Sequence, residues 1–166
     1  MISLLVFDID GTLTDGRLHY NEDGDESKTF SVKDGLAIST WNKIEGKSSA
    51  FITGRTSKIV ERRAKELGVK FLYQGISDKK AVLLQIMQEL RVDFAEVAII
   101  GDDLNDFSML ASLANTFCPR DASFHIQNIV DVVLEEEGGR GAGREMIEYI
   151  LKRDPHTLKQ FLAFYQ

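Results

Sequence analysis

Ser3 to Gly11 reads SLLVFDIDG, and Val97 to Asp106 reads VAIIGDDLND. Each is a short apolar run that stops abruptly at aspartates and a glycine. An uninterrupted apolar run of this length is a strand buried on both faces, the habit of parallel sheets. Ser49 to Ile52, followed by Thr53 and Gly54, repeats the shape, and Val69 to Tyr73 supplies a fourth strand. Between the runs lie helical stretches: Ser57 to Leu67, Lys80 to Leu90 and Leu104 to Leu113. Strand alternating with helix predicts an α/β fold, a doubly wound parallel sheet with helices on both faces. Right-handed crossovers then bring all strand C-termini to one edge, where such folds bind ligands.

Two segments break the rhythm. Residues 17 to 32, RLHYNEDGDESKTFSV, carry two short strand-like pieces around an Asp23-Gly24 turn, which predicts a projecting β-hairpin. GGRGAGRE, residues 138 to 145, holds four of the 13 glycines and predicts a mobile or wrapping tail. Helices are expected at Met146 to Leu151 and Leu158 to Tyr165, with Pro155 between them. With no repeat or low-complexity linker, residues 1 to 166 are read as a single domain.

Composition narrows the function. The chain has 20 Lys plus Arg against 26 Asp plus Glu, a net charge of -6, which argues against a nucleic-acid binder. The single cysteine, Cys118, permits no internal disulfide and no cysteine-rich zinc site. No apolar run approaches the roughly 20 residues of a membrane span, and the N-terminus lacks the features of a signal peptide. A cytoplasmic protein is the expectation.

The chemistry lies in the carboxylates at strand ends: Asp8 and Asp10 after the run that ends at Phe7, Asp102, Asp103 and Asp106 after the run that ends at Ile100. Gathered at one sheet edge, so many like charges need a cation between them, and an all-oxygen donor set suits Mg²⁺. Capping of the following helix serves any one of these residues equally well. Thr53 can donate a hydroxyl to a phosphoryl oxygen or cap a helix. Lys79 sits where the helix dipole disfavours a cation; its bland reading is a solvated lysine beside Lys80.

DIDGT at 8–12, ITGR at 52–55, DK at 78–79 and GDDLND at 101–106 resemble the four ordered motifs of the haloacid dehalogenase superfamily. The hairpin, FSVKDG at 30–35, YQGISDK at 73–79 and GGRGAGRE resemble its 3-deoxy-D-manno-octulosonate 8-phosphate phosphatases. The resemblance implies a Mg²⁺-dependent phosphomonoesterase acting on a 2-keto-3-deoxy sugar acid phosphate through an aspartyl-phosphate. It implies Asp8 as nucleophile and Asp10 as general acid and base. It implies Mg²⁺ between Asp8, the Asp10 carbonyl and Asp102, with Asp103 and Asp106 around it. Thr53 and Lys79 would hold the phosphoryl group, and Arg55, Arg140 and Arg144 would bind substrate. Each of these arginines serves equally well as a solvated surface charge.

Only 42 residues separate Asp10 from Thr53 and 22 separate Lys79 from Asp102, too few for a large cap domain. The resembling family forms a homotetramer whose hairpins associate, with the tail closing over the site. CPRDA at 118–122 and DGLAIST at 34–40 depart from the family pattern, which leaves the sugar open. A nine-carbon sialic-acid-type 9-phosphate or another small sugar phosphate is the alternative substrate. A capped mutase, a phospho-acceptor signalling module and a non-catalytic assembly subunit are the other readings.

Overall fold

The computed structural model describes residues 1–166. Six parallel strands form one sheet: β1 Leu4–Phe7, β4 Ser48–Ile52, β5 Phe71–Tyr73, β6 Val97–Ile100, β7 Thr116–Cys118 and β8 Val132–Val133, in the order β5-β4-β1-β6-β7-β8. Two further strands, β2 His19–Tyr20 and β3 Glu26–Ser27, pair antiparallel as the hairpin. The helices are α1 Val32–Trp41, α2 Lys58–Glu66, α3 Lys79–Leu90, α4 Phe107–Leu110, α5 Phe124–Gln127, α6 Ala142–Arg153 and α7 Pro155–Leu162.

Alternation along the strands makes the two cores. Leu5 and Phe7 of β1 and Ala98 and Ile100 of β6 face one side, against Ile38 and Trp41 of α1, Val60 of α2 and Ile147 of α6. Leu4 and Val6 with Val97 and Ile99 face the other, against Leu83 and Ile86 of α3, Met109 of α4 and Ile126 of α5. Side chains at successive strand positions point to opposite faces, so a run buried on both must be apolar throughout. The doubly wound α/β class follows, with no large cap.

The register places the site. Phe7 of β1 lies between Phe51 of β4 and Ile100 of β6. The chain continues past these residues into Asp8, Ile52-Thr53 and Gly101-Asp102. The Asp8 N–H donates to the Ile100 carbonyl at 3.1 Å, and the Thr53 N–H to the Tyr73 carbonyl at 3.0 Å. From β1 the chain goes first to β4 and β5 and then returns to the far side of β1 at β6. The switch point where ligands bind in open sheets therefore lies at the β1 and β6 ends.

Several expectations need correction. The strand expected from Val69 begins at Phe71. β7 and β8, three and two residues long, were not expected; neither offers an apolar run long enough to read. The helix expected over Leu104 to Leu113 is a 3₁₀ turn at Leu104–Asp106 followed by the four-residue α4. The left-handed Asn115 (φ 64°) then turns the chain into β7. The Asp106 carboxylate accepts the Asp102 and Asp103 N–H groups at 3.0 and 3.4 Å, so this stretch folds around a side chain instead of a helical ladder.

The tail also differs from expectation. Its GAGRE half is the start of α6, because the Asp34 carboxylate of α1 accepts the Arg144 N–H at 2.8 Å and satisfies a helix N-terminal donor in trans. Pro155 opens α7 instead of separating helices, with Asp154 accepting the Thr157 N–H at 3.1 Å.

Candidate active site

Lys79 organises the site. Asp78 caps α3 by accepting the Ala81 N–H at 3.0 Å, so Lys79 is the first helical residue. Its ammonium is buried and lies 2.6 Å from Asp8 Oδ1 and 2.6 Å from Asp106 Oδ1. The solvated alternative is thus excluded. Burial works against the ammonium, but Asp8 and Asp106 outweigh it and hold the Lys79 pKa above its ordinary value.

Asp8, Asp102 and Asp106 each bring a carboxylate oxygen to within 4.8 Å of the others. Burial and then the Asp106 charge push the Asp8 carboxyl well up. The same two causes push Asp102 up to about 7. Asp106 has both oxygens engaged, one by Lys79 and one by loop amides, so it anchors. Asp8 and Asp102 each accept one side-chain hydrogen bond, from Lys79 and from the Thr12 hydroxyl at 2.9 Å. When all three are ionised, three carboxylates against one ammonium leave two negative charges in a largely buried space. A divalent cation balances that count, and the hard oxygen donors fit Mg²⁺.

The loop after β1 is shaped by two close approaches. Gly11 has φ +101°, and a Cβ there would sit 2.1 Å from Asp102 Oδ2. Only glycine lets the β1 and β6 loops come this near. From behind, the Gly139 N–H donates to the Thr12 carbonyl at 3.0 Å, while a Cβ on Gly138 would lie 1.9 Å from the Gly11 carbonyl oxygen. The glycine-rich tail therefore packs on its own chain's loop after β1.

Asp10 faces a different group of side chains. One oxygen pairs with the Lys28 ammonium; the other accepts from the Thr53 hydroxyl at 3.5 Å. Arg55 reaches the hairpin, 3.2 Å from both the Glu26 carboxylate and the Tyr20 hydroxyl. Asp103 accepts the Leu104 N–H at 2.8 Å and caps its turn, as the capping alternative had it. Arg140 and Arg144 are not brought to the carboxylates: their partners are Glu137 at 3.4 Å and Glu148 at 2.7 Å. Sequence reading missed Lys28, Thr12 and Thr14. Glu26 in β3 and Lys28 just past its end, two positions apart, are the one signal that would have found the first. Thr14 Oγ1 accepts the Gly11 and Gly16 N–H groups at 3.2 Å each, a contact only the folded loop reveals.

A parallel sheet with strand-end carboxylates gathered around a buried lysine fits a haloacid dehalogenase-like hydrolase. The family model of that description matches residues 71–141. The 3-deoxy-D-manno-octulosonate 8-phosphate phosphatase of Haemophilus influenzae is 38% identical over 151 residues, 91% of this chain and 83% of the relative. That of Escherichia coli K12 is 37% identical over 152 residues, 90% and 79% of the two chains. The Moraxella catarrhalis phosphatase, crystallised with magnesium, phosphate and the KDO molecule, superposes with a TM-score of 0.91 at 37% identity, covering 99% of this chain and 94% of that one. The cobalt-bound Haemophilus influenzae enzyme gives 0.88 at 36% identity, covering 97% and 96%. The chain belongs to the 3-deoxy-D-manno-octulosonate 8-phosphate phosphatase family. It is a phosphoric monoester hydrolase, which removes the signalling and assembly readings.

Proposed function

We propose that the chain hydrolyses 3-deoxy-D-manno-octulosonate 8-phosphate to the free sugar acid and inorganic phosphate. The observation that carries the reading is Lys79 held at 2.6 Å from both Asp8 and Asp106, at the sheet edge that Asp10 and Thr53 share. Asp8 attacks phosphorus, and the bond to the sugar oxygen breaks as Asp10 gives that oxygen its proton. A sugar alkoxide leaves poorly without one. Asp10, now a carboxylate, takes a proton from the water that attacks phosphoryl-Asp8, releasing phosphate and restoring Asp8. Lys79 and Thr53 hold the phosphoryl oxygens. Asp8, Asp102 and the Asp10 carbonyl would hold Mg²⁺, which supplies positive charge against the phosphate dianion. Asp106 keeps Lys79 in place, and Asp103 shapes the loop.

Arg140, exposed and paired only with Glu137 at the surface, is free to take a substrate carboxylate in a two-point grip; Arg55 and Arg144 are secondary candidates. Exposed apolar side chains on and beside the hairpin, Leu18, Tyr20, Val32 and Leu36, support association of hairpins in a homotetramer. We take residues 1–166 as one domain, because both cores are built on the same sheet. A cytoplasmic location goes with a lone, buried thiol at Cys118. No helix is long and apolar enough to cross a membrane.

The test is phosphate release, with and without Mg²⁺, from the eight-carbon acid phosphate, a nine-carbon 2-keto acid 9-phosphate and simple hexose phosphates. Mg²⁺-dependent preference for the first is expected. Preference for the nine-carbon acid would keep the chemistry and change the substrate; no release from any would overturn the reading.

A further inference from the structure

Lys28 lies outside the four motifs, yet its side chain is only 1% exposed. A buried lysine needs partners, and Lys28 has two: the Asp10 carboxylate and Glu26 Oε1 at 3.1 Å. Glu26 is held in turn by Arg55 and sits beside Tyr20, its neighbour across the hairpin. Although partial burial raises the Glu26 carboxyl, Lys28 and Arg55 together hold it below its ordinary range. The result is an unbroken line of alternating charge, Arg55–Glu26–Lys28–Asp10, running from the loop after β4 through the hairpin to the end of β1.

The line does two things. It ties the hairpin to the core at the point where the general acid sits. It also fixes Asp10 from the side opposite Thr53, so that the carboxyl group has one orientation when substrate arrives. Two-sided restraint matters here because Asp10 lies in the turn after β1 and has no ladder hydrogen bonds to hold its backbone from both sides. We propose that Lys28 is a positioning residue for Asp10, delivered by the hairpin of the same chain and locked by Glu26. This rests on the phosphatase reading of Asp10.

A role through the general acid has a signature that a structural role lacks. kcat/KM covers the steps up to departure of the leaving group. A sugar oxygen needs Asp10's proton at that step; a nitrophenolate does not. Lys28→Met, which keeps length and removes charge, is expected to lower kcat/KM for the sugar acid phosphate by about 10- to 100-fold, part of the 10²- to 10⁴-fold worth of a general acid. For p-nitrophenyl phosphate the loss is smaller by at least about tenfold. Lys28→Arg, which can still donate to Asp10, restores most of the difference. Glu26→Gln, which loosens the lock and leaves the lysine in place, gives the same pattern in weaker form and covers the case in which Lys28→Met does not fold. Equal losses on both substrates, or no loss on either, would overturn the positioning role while leaving a working phosphatase. A wild-type enzyme inactive on both substrates would overturn the phosphatase reading, and the role of Lys28 with it.

Discussion

Asp34 is the clearest case of a charge placed where burial opposes it. It belongs to α1 and is buried against the start of α6, where Oδ1 accepts the Arg144 N–H at 2.8 Å and Oδ2 has no partner. Burial pushes its carboxyl from the ordinary 3.8 to about 6, against the opposing pull of the Arg144 amide and Arg63. The folded protein thus holds this proton more tightly than the unfolded chain does. The contribution of Asp34 to stability is greatest below pH 4 and declines as pH rises through about 6, by at most about 3 kcal/mol. Asp34→Asn removes the titration and keeps the shape, and its oxygen still accepts from Arg144. At pH 8 the variant should be more stable by about 1–3 kcal/mol, which for a chain of this size raises Tm by about 2–12 °C. At pH 4 the two proteins should melt within about 2 °C of each other, because Asp34 is then protonated. Thermal unfolding by circular dichroism at both pH values decides it. A variant less stable at pH 8, or a difference independent of pH, would refute the reasoning.

Lys79→Met leaves the buried Asp8 and Asp106 carboxylates without their ammonium; in chelator at pH 8 it should cost about 3–5 kcal/mol, and the loss should shrink at lower pH as Asp8 takes a proton. A Tm within about 2 °C of wild type at pH 8 would mean that the ion pair matters little. Asp8→Asn should abolish turnover and leave Tm equal or higher in chelator, since burial and Asp106 already make the Asp8 charge costly. Phosphate release at the wild-type rate would remove Asp8 from the chemistry. Arg140→Ala should raise KM for the sugar acid phosphate about tenfold, the order expected for one charged hydrogen-bonding partner, and leave KM for p-nitrophenyl phosphate within about twofold. Equal changes on both substrates would cancel its role as a carboxylate binder.

The parts legible in the sequence were those with one dominant cause. β1 and β6 are apolar on both faces because helices cover both, and LLVF and VAII each run into an aspartate within two residues. Lys79 stood out because a helix start disfavours a cation unless acids pay for it, and Asp8 and Asp106 do. What escaped depends on distant partners. β7 and β8 are strands only because β6 lies beside them. α6 begins four residues earlier than its apolar pattern because Asp34, about 110 positions away in the chain, caps it. Lys28 looks like one more charge in a polar hairpin until Asp10 is seen against it. The glycines of the tail read as mobility or wrapping, and Gly138 and Gly139 serve the second by letting two backbones touch.

The central claim is that Asp8 carries the phosphoryl group between substrate and water. Rapid mixing of the protein with Mg²⁺ and the eight-carbon sugar acid phosphate, acid quenching and peptide mass analysis test it directly. One phosphoryl group on the peptide containing Asp8, gained and then lost within a turnover, is the predicted result. Phosphate released with no phosphorylated peptide at any time, or a phosphoryl group on a different residue, would contradict it.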